Sequence, residues 1–271
     1  MPARRPDVSR ARLTRLPPGP CADGRALDVV ITCEHGGNDV PARYRELFAG
    51  HEDLLRTHRG YDPGALELGR ELAEALGAPL VASTTTRLLI DFNRSIGNRG
   101  LFSELTASAA REVREELLDA HYRPYRRRVE ALIEQSLAHG RRVFHLSSHS
   151  FTPVLDGEAR NADIGVLYDP RRPREVQLAM RWYAALRLRA PRLKVRRNYP
   201  YTGRSDGFCA GLRKRLRGDD YIGLELEVNQ RHVQQGGPAW HALRADVVAA
   251  LKRALEGGPV ADGADQPAVG T

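Results

Sequence analysis

The first strand-like segment of the chain reads Leu27-Asp28-Val29-Val30-Ile31-Thr32 and runs directly into Cys33-Glu34-His35-Gly36-Gly37. Valine, isoleucine and threonine are enriched in β-strands, so the run predicts a strand over residues 27–33. Paired glycines let a backbone approach a ligand closely or take a positive φ. The segment therefore predicts a strand whose carboxyl end carries residues that could bind a ligand or take part in catalysis.

Three later apolar runs end in the same way. They are Val143–Ser148 before His149, Leu88–Ile90 before Asp91-Phe92-Asn93-Arg94, and Tyr221–Leu224 before Glu225-Leu226-Glu227. In an open α/β sheet the carboxyl ends of parallel strands face one crevice. Two histidines, several acids and an arginine delivered there could assemble a catalytic metal site.

Strand-like and helix-like segments alternate over residues 26–256, which predicts a single α/β domain. Arginine and proline dominate residues 1–25, and residues 257–271 lack apolar periodicity, so we expect two flexible tails. The predicted helix 63–76 has Asp62 as its N-cap and Gly77 as its stop. The other predicted elements are strands 79–82, 87–91, 143–148, 164–167, 194–197 and 221–228, and helices 104–139 (interrupted at Pro124), 175–188, 207–217 and 238–255.

Composition excludes several classes of protein. No run approaches the roughly 18–20 apolar residues of a membrane span, and the N-terminus lacks the apolar stretch of a secretory signal. We therefore expect a cytoplasmic protein without a membrane partner. Cys21, Cys33 and Cys209 are too few and too far apart for a disulfide framework or a CxxC-type zinc site.

The net charge of +8 raises the question of a nucleic-acid partner. The excess is diffuse, with arginines in residues 4–15, 126–128 and 213–217, and no nucleic-acid-binding motif accompanies it. We expect a basic surface that draws in an anionic substrate rather than nucleic acid. No pattern in the sequence predicts an oligomeric state.

His35 and His149 each admit two interpretations. Either histidine could offer a ring nitrogen to zinc, and the serines around His149 could orient its ring. Alternatively, each is a structural histidine that caps or stabilises its strand. A serine nucleophile is also conceivable beside His149, but no Gly-x-Ser-x-Gly elbow surrounds these serines.

The acidic residues also admit two interpretations each. Asp62 is a good helix N-cap, although a carboxylate at a helix start can also lean out to bind a metal. Glu225 and Glu227 project to one face of the last strand. They belong either to an exposed edge strand or to a functional site, where Glu227, nearer the carboxyl end, would accept a proton from water.

Two arginines close to the apolar run Leu88–Ile90, Arg87 and Arg94, suit an anionic substrate. Arg94, next to Asn93, could hold a carboxylate through two hydrogen bonds, and Arg87 could reach the same crevice. The structural alternative is that these arginines pair with an acid such as Asp91.

In chain order, these segments resemble the N-formylglutamate amidohydrolase family over nearly all of residues 27–255. The motifs that carry the resemblance are Cys33–Gly37 with Val40-Pro41, Tyr61–Ala65, Arg87–Arg94, His149–Phe151, Asp163–Asp169, Asn198–Gly203 and Glu227–Gln230. The resemblance implies a central mixed, mainly parallel sheet flanked by helices, as in zinc-dependent carboxypeptidases and aminoacylases.

The resemblance also implies roles for individual residues. His35 and His149 match the histidines that bind Zn²⁺ or another divalent metal, and Glu227 matches the general base. Asn93 and Arg94 match the pair that grips the substrate carboxylate.

The third metal ligand is where the chain departs from the pattern. Carboxypeptidase relatives use His-x-x-Glu, but the third residue after His35 is Asn38. The resemblance therefore leaves the carboxylate ligand to another residue, with Asp62 as our first choice and Glu34 as the second.

The activity implied by the resemblance is zinc-dependent hydrolysis of N-formyl-L-glutamate or a related N-acyl amino acid. Arg87 would stabilise the developing oxyanion, and Arg160 or Arg204 would bind a second carboxylate. Two alternatives stay open: a metal-dependent deacylase or peptidase of different acyl specificity, and a non-catalytic protein that binds carboxylates or nucleic acid.

Overall fold

A six-stranded sheet forms the centre of the molecule in the computed structural model, which describes residues 25–216 and 218–256. A two-stranded hairpin, β4 and β5, lies outside this sheet. The strands in chain order are β1 Leu27–Cys33, β2 Leu80–Ala82, β3 Arg142–Phe151, β4 Val154–Leu155, β5 Glu158–Ala159, β6 Ile164–Leu167, β7 Val195–Arg197 and β8 Tyr221–Asn229.

The sheet is mixed and mainly parallel, with the strand order β2-β1-β3-β8-β6-β7. Strands β2, β1, β3 and β8 run parallel, β6 is antiparallel to β8, and β7 is parallel to β6. In the central pair, His149 of β3 lies opposite Glu227 of β8. The predicted fold class is confirmed, and its central strands carry two of the predicted site residues side by side.

Helices cover both faces of the sheet. They are α1 Ala65–Leu76, α2 Arg111–Leu117, α3 Arg123–Ala138, α4 Pro173–Arg189, α5 Phe208–Arg215, α6 Gln230–Gln235 and α7 Gly237–Glu256, with 3₁₀ helices at Ala42–Phe48 and Leu54–Arg56 and a π-helical turn at Leu118–Tyr122.

Two apolar cores lie on opposite faces of the sheet. Val29 and Ile31 of β1 pack in the core that includes α1, α4 and α7, whereas Val30 packs with α3 and α5 in the other core. Successive strand residues point to opposite faces, so a run such as 29–31 is apolar throughout only when both faces are covered. This double burial explains the continuous apolar strands of the sequence.

The predicted helix starts were partly wrong. Helix α1 begins at Ala65 rather than residue 63, and its N-cap is Gly64 at φ 78°, so Asp62 is not the cap. The stop at Gly77 is confirmed. The predicted 104–139 helix starts only at Arg111, and its interruption near Pro124 is confirmed, because the π-helical turn ends just before that proline.

Three strand predictions need correction. Residues 87–91 form a turn segment and not a strand. Leu88, Leu89 and Ile90 are apolar because they pack in one of the two cores. Strand β3 continues to Phe151, so His149 lies within the strand and not after it. Strand β8 is central, which excludes the edge-strand interpretation of Glu225 and Glu227.

Other predictions concern the ends and the cysteines. The predicted tails lie outside the described residues, apart from Arg25, as does Cys21. Cys33 and Cys209 are buried free thiols. None of the helices in the described part of the chain is long and apolar enough to cross a membrane.

Candidate active site

His35 follows β1 and faces two carboxylates, one on each ring nitrogen. Its Nε2 lies 2.7 Å from Asp91 Oδ1, and its Nδ1 lies 3.4 Å from Asp62 Oδ2. The backbone N–H of Asp62 donates to the His35 carbonyl at 2.9 Å, which ties the approach to α1 to the end of β1. Two separate loops therefore hold one buried imidazole.

The two glycines after His35 matter through their lack of a side chain. A Cβ on Gly36 would lie 2.9 Å from the Ser83 carbonyl oxygen, and one on Gly37 would lie 2.7 Å from that of Thr84. The close approach expected from the paired glycines is thus made to the chain after β2.

His149 repeats the arrangement from β3. Its Nδ1 lies 2.9 Å from Asp62 Oδ2, and its Nε2 lies 2.8 Å from Ser147 Oγ and 3.2 Å from Glu34 Oε2. Burial alone would lower the pKa of His149, but hydrogen bonds to Asp62 and Glu34 raise it well above its ordinary value. The same contacts keep the pKa of Glu34 well below its ordinary value in spite of burial.

Asp62 is the residue on which both histidines converge. One potential metal-binding atom from each of His35, Asp62 and His149 lies within 4.8 Å of the others, and all three residues are buried. Although burial raises the pKa of a carboxyl group, the charge of Arg87 and the hydrogen bonds with the histidines lower that of Asp62 well below its usual range. The cluster therefore presents an ionised carboxylate between two ring nitrogens.

Arg87 contacts the cluster directly. Its Nη2 donates to Asp62 Oδ1 at 2.7 Å and also meets His35 Nδ1. The turn segment after Thr86 places Arg87 there, because the backbone N–H of Arg87 donates to the Gly60 carbonyl. In this arrangement the guanidinium is a neighbour of the ligand atoms as well as of the cavity.

The cluster opens into a cavity of about 200 Å³. The cavity is lined by His35, Arg87, Asp91, Asn93, Arg94, His149, Tyr201, Thr202, Ser205, Asp206, Glu225 and Glu227. It thus brings together the predicted residues His35, His149, Glu227, Asn93, Arg94 and Arg87, while Asp62 lies against them.

Glu227 is buried with a free oxygen beside the cluster. Its Oε2 has no hydrogen-bond partner among the residues that the structure describes. Burial raises the pKa of the Glu227 carboxyl group to about 8. Glu225, two positions earlier on the same strand face, also has a pKa raised by burial. A buried carboxyl group without a partner is costly, which is typical of a functional position.

Asn93 and Arg94 reach the cavity from the turn segment rather than from a strand end. Asn93 Oδ1 accepts a hydrogen bond from the Phe208 backbone N–H at 2.6 Å, and Nδ2 lies 3.4 Å from His149 Nε2. Arg94 Nη1 donates to the Asp206 carbonyl at 2.8 Å, and its side chain is 41% exposed. Its Nε also lies 3.9 Å from Asp91 Oδ2, so Arg94 is paired with this acid as the structural alternative expected.

The two arginines predicted to bind a second carboxylate differ in position. Arg160 Nη1 donates to the Tyr201 hydroxyl at 3.1 Å, and Tyr201 lines the cavity. Arg204 does not line this cavity; it borders two adjoining cavities instead. Neither arginine lines the catalytic cavity itself, but Arg160 contacts a residue that does.

The sequence interpretation named Arg204 in the loop at residues 201–206 but assigned no role to the loop residues that line the cavity. Tyr201, Thr202, Ser205 and Asp206 line it, and Asp206 accepts hydrogen bonds from Ser95 and from the Asn98 side chain. The motif Asn198–Gly203 was the one signal that pointed to this loop.

An α/β domain with a His-Asp-His cluster beside a buried glutamate has the groups that metal-assisted hydrolysis requires. The family model for N-formylglutamate amidohydrolases matches residues 27–234, and the chain belongs to this family. The protein is accordingly an amidohydrolase, a hydrolase that acts on amide bonds.

Two of the solved structures that are similar to this chain show the likeness over most of its length. The gene product Atu2144 from Agrobacterium tumefaciens is 28% identical with a TM-score of 0.73, over 84% of this chain and 90% of that one. The N-formylglutamate amidohydrolase from Ralstonia eutropha JMP134 is 20% identical with a TM-score of 0.59, over 84% of this chain and 92% of that one. No curated protein matches the sequence.

Proposed function

We propose that the protein is a zinc-dependent amidohydrolase that hydrolyses N-formyl-L-glutamate to formate and L-glutamate. The observation that carries this proposal is the convergence of the Nδ1 atoms of His35 and His149 on Asp62, beside the buried Glu227. Family membership supports N-formylglutamate as the substrate. A cytoplasmic location stays a prediction.

The donor set fits zinc. Catalytic zinc sites use three protein ligands, drawn from histidine nitrogens and carboxylate oxygens, and keep one position open. Ligating histidines donate their other ring N–H to a carboxylate or similar acceptor; Asp91 stands in that place for His35, and Glu34 for His149. Zinc held by His35, Asp62 and His149 would supply a Lewis acid that activates water and polarises the amide carbonyl.

Glu227 is assigned as the general base. It lies opposite His149 in the central strand pair, and its Oε2 is free to accept a proton. Ionised Glu227 takes a proton from the attacking water and then delivers it to the departing amine nitrogen. The elements of water are thus divided between the formate and the amino group of glutamate.

Arg87 is assigned to stabilise the negative charge that develops on the oxygen of the substrate's amide carbonyl. An imidazole nitrogen has one lone pair, so His35 Nδ1 cannot accept from Arg87 and bind a metal at once. Ligation by His35 therefore leaves that guanidinium hydrogen free, and the group already lines the cavity. A fixed cation there stabilises the oxygen of the amide carbonyl as it becomes negative.

Arg94 and Arg160 are assigned to the two carboxylates of the substrate. Arg94, with Asn93, faces the cavity and binds the α-carboxylate. Arg160 binds the side-chain carboxylate next to Tyr201, which lines the cavity. The Asn229 side chain holds this region by donating to the carbonyls of Arg160 and Ala162.

The small cavity favours a short acyl group. About 200 Å³ lies below the roughly 300–1,000 Å³ of common ligand pockets. A formyl amino acid fits such a volume better than a long-chain acyl amino acid or a peptide. A deacylase or peptidase of other acyl specificity is the second candidate, and substrate choice separates the two.

The test is a substrate panel with the zinc-loaded protein. We expect N-formyl-L-glutamate to have the highest kcat/KM, ahead of N-acetyl and longer N-acyl glutamates and of N-formyl amino acids with neutral side chains. Arg160→Ala should lower kcat/KM for N-formyl-L-glutamate by roughly 10–100-fold, the value of a charged hydrogen bond. The neutral substrates should be unaffected. Faster turnover of longer acyl groups would favour the second candidate instead.

A further inference from the structure

A strongly basic cavity of about 400 Å³ adjoins the loop that closes the active site. The ionisable residues that line it are Asp169, Arg171, Arg172, Arg204, Arg213 and Lys214. Five cations and one acid surround this cavity. The number of charges that remain uncompensated decides what it can bind.

Asp169 and Arg171 neutralise each other. Arg171 donates from Nε to Oδ1 at 3.0 Å and from Nη2 to Oδ2 at 2.8 Å, a two-point pair. These hydrogen bonds lower the pKa of Asp169 to about 2, so the carboxylate stays ionised at neutral pH. This pair contributes no net charge to the cavity.

Arg172 and Arg213 share one carboxylate. Nε of Arg213 lies 2.8 Å from Glu175 Oε1, and Nε of Arg172 lies 3.2 Å from the same oxygen. Arg213 is buried, and its Nη1 and Nη2 donate to the carbonyls of Gly203 and Gly223. Two guanidinium groups beside a single buried carboxylate leave one positive charge.

Arg204 and Lys214 add the remaining charge. Both side chains are exposed, and neither forms an ion pair or hydrogen bond with any residue in the described ranges. One charge from each, and one from the arginines that share Glu175, make three uncompensated positive charges around a single concavity. Like charges held together repel one another, and an anion between them relieves that repulsion.

We propose that this cavity binds a small molecule carrying a phosphate group with at least two negative charges. Arginine forks match the oxygens of phosphate, and a lysine adds a point charge. The basic residues continue beyond this cavity, because Lys214 also lines a neighbouring cavity together with Arg123, Arg126, Arg127 and Arg215. A nucleic acid is therefore the competing ligand that the test must exclude.

The effect of the ligand rests on the proposed function, because it concerns the active-site loop, residues 201–206, which lines the catalytic cavity. Arg204 lies between Thr202 and Ser205, which line the catalytic cavity, and Arg213 already holds the Gly203 carbonyl. An anion that engages Arg204 therefore restrains residues 201–206 from outside the catalytic cavity, which Arg204 does not line. The protein would then be tuned by a phosphorylated compound without any contact between that compound and the reacting atoms.

Binding is tested by calorimetry with inorganic pyrophosphate and inorganic phosphate at constant ionic strength. We expect the wild-type protein to bind pyrophosphate more tightly than phosphate. The double variant Arg204→Gln/Lys214→Gln should lose at least about tenfold in affinity, because two charged donors are removed. The matched variant Lys252→Gln, an exposed lysine on α7, should bind like the wild type.

Three results would overturn the proposal. They are no binding of pyrophosphate at millimolar concentration, an equal loss of affinity in Lys252→Gln, and tighter binding of an oligonucleotide than of pyrophosphate at the same cavity. Hydrogen exchange supplies a readout that does not depend on catalysis. Pyrophosphate should slow exchange of the amides of residues 201–206 in the wild type and not in the double variant; unchanged exchange in the wild type would refute the effect on the loop.

Discussion

Asp62 and Glu34 are both buried carboxylates that contact His149, but they meet different nitrogens of its ring. Asp62 lies on the Nδ1 side, which it shares with Nδ1 of His35, whereas Glu34 lies on the Nε2 side together with Ser147. A metal bound by both histidines through Nδ1 has Asp62 within reach and Glu34 behind one ring. We therefore assign Asp62 as a ligand and Glu34 as the group that orients His149.

Exchange of each carboxylate for its amide tests this assignment. Asp62→Asn should lose stoichiometric zinc, because an amide oxygen lacks the negative charge that the site supplies. Glu34→Gln should keep zinc near one equivalent and bind it more weakly, by about 10–100-fold, as expected for a partner of a ligand. Metal content measured after dialysis distinguishes them, and full zinc retention in Asp62→Asn would contradict the assignment.

Glu227→Gln tests the general base. The variant should keep its zinc, since Glu227 is not one of the three clustered ligands, and should lose about 10²–10⁴-fold in kcat/KM. Glu225→Gln, on the same face of β8, should lose much less. Normal turnover in Glu227→Gln would rule out this role.

The pH profile of the wild-type enzyme carries the same information. A base works when it is ionised, so kcat/KM should rise with pH as Glu227 loses its proton. Burial places this pKa at about 8, and a bound dication lowers it, so the rise should fall between the ordinary range near 4.3 and pH 8. This limb of the profile should be absent from Glu227→Gln.

Residue patterns predicted the centre of the site better than its walls. His35, Asp62, His149 and Glu227 each adjoin a strand or helix that the sequence indicates, so their convergence follows from the fold class. Asp206 reaches the cavity through hydrogen bonds to Ser95 and Asn98, which are far away in the chain. A contact of that kind leaves no local pattern to read.

Elements with strong periodic or β-branched character were predicted well. The strands 27–33 and 164–167 match residue for residue, and β8 is only one residue longer than predicted. The apolar run 88–90 was wrongly predicted as a strand, because burial in a turn segment and burial in a strand require the same apolar residues. The 3₁₀ helices and the β4–β5 hairpin are short, and tertiary contacts rather than sequence pattern decide them.

Gly165 of β6 packs against the chain just before the active-site loop, residues 201–206. A Cβ at this position would lie 1.7 Å from the Tyr199 carbonyl oxygen and 3.4 Å from Glu227 Cβ. Gly165→Ala should therefore displace the backbone around Tyr199 and destabilise the protein by about 1–3 kcal/mol. It should also lower kcat/KM. Urea unfolding with a parallel activity assay measures both effects.

Gly69→Ala is the matched control for that variant. Gly69 lies inside α1, and its added Cβ would meet nothing closer than 3.6 Å. Alanine is favoured over glycine in a helix by roughly 0.5–1 kcal/mol, so this variant should be as stable as the wild type or more so. Equal behaviour of the two variants would mean that Gly165 is not sterically required.

At the scale of the whole molecule, the metal would link distant parts of the chain. Its proposed ligands lie just after β1, on the approach to α1 and near the end of β3. A ligand that binds only the folded state stabilises it by about 2.7 kcal/mol at one hundred times its Kd. Removal of zinc by a chelator should therefore lower Tm and abolish activity, and zinc addition should restore both.

Scanning fluorimetry across a zinc series checks this expectation. For a domain of this size the shift should be about 2–4 °C per kcal/mol. Asp62→Asn serves as the control, and its Tm should not respond to zinc. A wild-type Tm that is indifferent to both chelator and zinc, with activity intact, would contradict the metal dependence.

The pairing of β3 with β8 also determines when the enzyme becomes competent. It joins Val143 to Tyr221 and His149 to Glu227, across the whole intervening run of β4 to β7 and two helices. Because loop-closure entropy opposes such non-local pairs until they form, folding should be slow. On the ribosome β8 emerges late, so Glu227, the proposed general base, joins His35 and His149 only near the end of synthesis. A nascent chain can carry all three proposed metal ligands, His35, Asp62 and His149, and still lack the proposed base.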